Sequence, residues 1–79
     1  MITPDELQEL IQLDMPDAQV VITDKTGMQD HYEVSIVSTA FAGLGLLDQR
    51  RKVYEILNPV LQTGRLHAVE LKTQTPPSG

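Results

Sequence analysis

The stretch GRLHAVELK, Gly64 to Lys72, decides how this chain folds. Gly64 is a helix stop, and Leu66 to Lys72 then reads as a strand, the third and last of the chain. A strand that re-enters a sheet after a helical crossover lies parallel to its neighbour, with right-handed chirality. The stretch also carries His67 where a core strand would hold valine or isoleucine. His67 shares parity with Val69 and Leu71, while Leu66 and Ala68 share the other face with Glu70 and Lys72. Both faces are mixed, so alternation alone does not fix the exposure of the imidazole.

Upstream, Leu46, Val53, Ile56, Leu57, Val60 and Leu61 mark a helical pattern beginning near residue 46, with Asp48 as its cap. Pro59 removes a backbone bond from any helix that continues through it. Asn58-Pro59 is therefore read as a cap and first position, which predicts a break and a short third helix. Thr39 to Gly45 is a loop. Before it, HYEVSIVS places Tyr32, Val34 and Ile36 on one strand face and His31, Glu33, Ser35 and Val37 on the other. AQVVIT, Ala18 to Thr23, is a β-branched strand, and the turn-rich DKTGMQD joins the two into an antiparallel hairpin. The opening TPDELQELIQL is a helix: Thr3 caps, Pro4 takes the first position, and Glu6 completes a T-x-x-E capping box. Leu7, Leu10 and Ile11 give it one apolar face, and Asp14 to Pro16 ends it.

The order α-β-β-α-α-β predicts an α+β domain, a three-stranded mixed sheet with helices on one face. Residues 1–73 form the domain, and residues 74–79, polar and proline-rich, form a mobile tail.

Composition narrows the function. The chain has 79 residues and no cysteine, with eleven acids against six bases and a net charge of −5. Disulfides, thiolate metal sites and a cysteine nucleophile are excluded, and the acidic balance disfavours nucleic acid as a general partner. No apolar run approaches the ~20 residues of a membrane span. No basic start with an apolar core follows the first Met, so the expected location is cytoplasmic, or an organelle interior after processing.

Two histidines are the candidate ligands. His67 lies near the start of the last strand and His31 at the start of the second. If those strands are parallel neighbours ~4.8 Å apart, both imidazoles share one sheet edge. The ordinary role of a strand histidine is a half-buried hydrogen-bonded residue. Two are too few for a metal needing three or four protein ligands, so the others would come from a partner.

The segments FAGLGLLDQRRKVYEIL (Phe41 to Leu57) and GRLHAVELKT (Gly64 to Thr73) resemble the BolA family. That family carries an F-x-G-x-S-L-x-x-R-H-R-x-V-Y-like segment before an h-H-A-h motif. Phe41, Gly43, Leu46, Arg51, Val53 and Tyr54 match the first, and His67 and Ala68 the second. DHYEVSIVS matches an S-H-F-x-V-x-h-V-S segment through His31, Tyr32 and Val34. The resemblance covers nearly the whole chain and implies a type II KH-like fold. It further implies a monothiol (C-G-F-S) glutaredoxin as partner and a 2Fe–2S cluster shared with it. The glutaredoxin and its bound glutathione would each give a thiolate, and His67 would be the ligand from this chain. In the family a second ligand comes from a Cys or His of the first hairpin loop. That position falls near Met28 here, a poor donor for ferric iron, so His31 is the second candidate. The family's R-H-R is Gln49-Arg50-Arg51, closer to the IbaG-like branch, and the family's usual C-terminal T-P-x-x-W extension is replaced by TPPSG.

Two further partners stay in view: DNA, and a second copy of the chain when no glutaredoxin is bound. DNA would be met by Arg50, Arg51 and Lys52 at the start of the second helix, with Arg65 nearby. Adjacent bases fan around a helix, and the Leu57-Asn58-Pro59 connection lacks the G-x-x-G loop of a KH domain. An enzyme is not expected, since no G-x-S-x-G elbow is present and so small a domain offers little pocket volume.

Overall fold

The computed structural model describes residues 2–77. Helix α1 spans Pro4–Asp14 and begins as the capping residues require: the Thr3 hydroxyl accepts from the Glu6 amide at 3.2 Å. Glu6 does not reach back to the Thr3 amide. Its carboxylate accepts from the Thr3 hydroxyl at 3.1 Å and binds the Arg65 guanidinium. The buried stripe of α1 is Leu7 and Ile11.

Strands β1 (Gln19–Asp24) and β2 (His31–Val37) form the antiparallel hairpin, and β3 (Ala68–Gln74) lies parallel to β2. The order β1-β2-β3 puts β2 in the centre. Its alternation is strict: Tyr32, Val34 and Ile36 are buried, while His31, Glu33, Ser35 and Val37 are half-buried. A short 3-10 turn, Thr39–Phe41, sits in the predicted loop and buries Phe41. It is fastened by Asp17, whose carboxylate accepts from the Ser38 hydroxyl (2.9 Å), the Thr39 amide (2.8 Å) and the Thr39 hydroxyl (2.7 Å).

Helix α2 spans Leu46–Gln62 without a break, so the short third helix does not exist as a separate element. Pro59 opens the last turn. The missing proline N–H forfeits one bond there. Ending the helix before it would instead expose Val60, which is 7% accessible, and Leu61, which packs on the core. Burial of two apolar side chains, roughly 1.5–3 kcal/mol each, outweighs that loss. The cap is Gly45 rather than Asp48, which sits in the first turn, where a carboxylate favours the helix dipole. Both helices cover one face of the sheet: Leu7, Ile11, Val53, Leu57 and Val60 meet Tyr32, Val34, Ile36 and Leu71 in one core. The opposite face carries Glu33, Ser35, Glu70 and Lys72 and is open to water.

Candidate functional site

The parallel register fixes which residues share a rim. His31 pairs with Ala68, so the first residues of β2 and β3 lie side by side. The Ala68 amide donates to the Asp30 carbonyl at 3.1 Å, tying the hairpin loop to the start of β3. The loop is shaped by Asp24, whose carboxylate accepts from the amides of Thr26, Gly27 and Gln29 at 3.2, 2.9 and 3.1 Å. Gly27 turns through φ +78°, where a side chain would be strained. At this loop Met28 is exposed.

His67 stands one residue before β3 rather than inside it. The alternation fails there: Leu66 is buried, while His67 and Ala68 are both exposed. Leu66 is drawn in because its amide donates to the Val60 carbonyl at the end of α2 (3.1 Å). The next residue is thereby turned to the rim. Among the described residues, His67 has no side-chain hydrogen bond and no ion pair. The segment before it is pinned by the N-terminus. The Ile2 amide donates to the Arg65 carbonyl at 2.9 Å, and the buried Tyr32 hydroxyl donates to the Ile2 carbonyl at 2.9 Å. Burial, reinforced by the Asp24 and Asp30 charges, raises the Tyr32 pKa and keeps the phenol a donor.

His31 is different. It is half-buried on the water-facing side of the sheet, with Nε2 3.8 Å from a Glu70 carboxylate oxygen. That separation is too long for a hydrogen bond. No sequence motif marks Glu70, but the parallel register, which pairs His31 with Ala68, brings it to the His31 side. Nearby, Glu33 is bound by Lys72 at 2.6 Å and Lys25 at 3.1 Å. The hydrogen bond from Lys72, then that from Lys25, hold the Glu33 pKa low, and the same pairing raises that of Lys72. Among the described residues no group of three or more His, Cys, Asp or Glu side chains is arranged to hold a metal.

The basic residues do not form one patch. Arg65 lies at the rim and is paired with Glu6. Arg51 pairs with Asp48 at 3.8 Å and Lys52 with Asp14 at 3.5 Å. Arg50 has no carboxylate partner within salt-bridge distance among the described residues. Along α2, Arg51 stands about 16 Å from the helix end that leads to Arg65, at 1.5 Å per residue.

A family model for BolA-like proteins matches residues 13–78. The Rickettsia prowazekii protein RP812 is 35% identical over 72 residues, covering 91% of this chain and 92% of that protein. Its solution structure, described as that of a BolA-like hypothetical protein, superimposes with a TM-score of 0.74 over 96% of this chain and 97% of that one. The structure of BolA1 from Arabidopsis thaliana superimposes with a TM-score of 0.82 at 32% identity, covering 95% and 93% of the two chains. Among the described residues, no helix is long and apolar enough to cross a membrane.

Proposed function

The chain belongs to the family of BolA-like proteins, and from that premise we propose that it is a non-enzymatic adaptor that binds a monothiol glutaredoxin and shares a 2Fe–2S cluster with it. Its role would lie in iron–sulfur cluster trafficking or iron and redox regulation. The observation that carries the reading is the His67 side chain, exposed at the rim and free of protein partners among the described residues. A nitrogen donor so placed can enter a metal's coordination without first breaking a native bond.

The donor set fits a shared site and not a resident one. With no cysteine, and no three-ligand group among the described residues, the chain needs thiolates from outside, which glutaredoxin and its glutathione would bring. When bound, the cluster supplies one-electron chemistry, and imidazole ligation raises its potential relative to an all-thiolate centre. Within this chain, Ile2 and Tyr32 hold the segment that leads to His67. His31 is the second candidate ligand, and it would have to turn from Glu70 to serve. The DNA reading gains no support from the geometry, because Arg51, Lys52 and Arg65 each already face a carboxylate.

The test is reconstitution with a C-G-F-S glutaredoxin, glutathione, iron and sulfide, followed by visible circular dichroism and size analysis. The wild-type chain should give a heterodimer whose spectrum differs from that of the glutaredoxin homodimer. His67→Ala should lose that spectrum. An unchanged spectrum and complex would remove the ligand assignment.

A further inference from the structure

Among the described residues, strand β3 has β2 on one side and no strand on the other. The direction of its backbone groups follows from two bonds: the Ala68 amide donates to the Asp30 carbonyl, and the Ser38 amide donates to the Gln74 carbonyl. In a parallel ladder the even-numbered residues from Ala68 to Gln74 therefore turn their amides and carbonyls to β2. Val69, Leu71 and Thr73 turn theirs outward, to an edge bordered by a groove that Arg50, Tyr54, Val69, Glu70 and Leu71 line. Edge strands of soluble proteins are commonly blunted by a proline, a bulge or charged side chains, lysine above all. The run AVELKTQ has no proline, its register with β2 is unbroken from Ala68 to Gln74, and its two charges, Glu70 and Lys72, are of opposite sign, so they repel a partner edge only in the wrong register.

We propose that this edge pairs with the same edge of a second copy of the chain, antiparallel, about a two-fold axis at Leu71. Two-fold pairing makes the interface its own complement, so the sequence must read favourably against itself. About Leu71 it does. Leu71 faces Leu71 of the second copy, and Val69 faces Thr73, all with their backbone groups directed at one another. Between them, Glu70 and Lys72 fall in a non-hydrogen-bonded pair, where side chains come closest. Both are on the water-facing side, so each Glu70 meets a Lys72. An axis at Glu70 or at Lys72 would instead set like charges directly opposite, which is unfavourable. Glu70 is free to turn: it is 55% exposed and only loosely approached by Lys25 (4.0 Å) and His31 (3.8 Å). On the helix side, Tyr54, which is 43% exposed, borders the groove and would be covered. The two His67 rims would lie at opposite ends of the joined sheet.

This inference does not rest on the metal reading, and its test uses the free protein without iron, glutaredoxin or glutathione. Sedimentation equilibrium of the full chain from about 10 µM to about 1 mM spans the range of weak, small interfaces. A concentration-dependent monomer–dimer equilibrium is expected at low salt. Glu70→Lys and Lys72→Glu should each weaken self-association by about tenfold or more, through two symmetry-related repulsions. Mixing the two variants in equal amounts should restore dimers, since a doubly cationic edge then meets a doubly anionic one. Circular dichroism of each variant confirms the fold. A wild-type monomer at the highest concentration overturns the proposal. So does self-association that single charge reversal leaves untouched, or a mixture that stays monomeric.

Discussion

Replacing Tyr32 by phenylalanine isolates one hydrogen bond that joins the core to the candidate site. The Tyr32 ring is fully buried and its hydroxyl donates to the Ile2 carbonyl at 2.9 Å. Ile2 is itself 2% accessible, and its amide donates to the Arg65 carbonyl. The chain of contacts thus runs from the start of β2, through the N-terminus, to the segment that leads to His67. Tyr32→Phe keeps the ring and its apolar burial. It removes the donor and leaves a buried carbonyl unpaired, a change that costs about 1–3 kcal/mol. A domain of this length is stable by roughly 4–12 kcal/mol, so the loss is a sizeable fraction. Urea unfolding should show a midpoint lowered by about 1 M with an unchanged slope, taking a slope of about 1–2 kcal/mol per M for a small domain. Amide exchange supplies the local reading. The Ile2 amide should exchange faster in the variant by more than the global destabilisation explains, because its anchor is lost, while Val34 and Leu57 should follow the global change alone. A midpoint within error of wild type, with Ile2 still protected, would show that the hydroxyl does not hold the N-terminus and that the rim is positioned by something else.

Two other perturbations test the fold. Asp17 joins the α1–β1 connection to the turn after β2, and its pKa is held below the usual carboxylate value first by the Thr39 amide, then by the Thr39 and Ser38 hydroxyls. A depressed folded-state pKa gives stability that is present above the unfolded pKa and lost as pH falls through the folded one. Wild type should therefore lose stability below about pH 4, and Asp17→Asn should flatten that part of the curve while lowering the neutral-pH melting temperature. Pro59→Ala should restore a backbone donor inside α2 and raise stability by about 2 kcal/mol, the helix-interior penalty of proline less the greater entropy of the unfolded variant, as read by thermal unfolding.

Most of the architecture could be read from alternation and turn chemistry because those signals are local. Thr3 and Pro4 start α1, the Thr3 hydroxyl accepting from the Glu6 amide and Pro4 taking a position that needs no donor, and the parity of Tyr32, Val34 and Ile36 chooses the core face of β2 without reference to any other element. Reading failed where a distant partner decides the outcome. At Pro59 the local rule favours a break, but Val60 and Leu61 have core to fill, and burial keeps the helix going. At Leu66 the local rule begins a strand, but the amide is taken by Val60 at the end of α2, so strand geometry starts two residues later. That displacement matters most for the site. Had β3 begun at Leu66, alternation would have placed His67 with Val69 and Leu71, on the side that packs against α2. Pulling Leu66 inward leaves the ring in water. The exposure of His67 is thus a product of the α2–β3 junction and not of its own strand. The residues to perturb when probing it are Val60, Leu66 and the Ile2–Arg65 clamp, as much as the histidine itself.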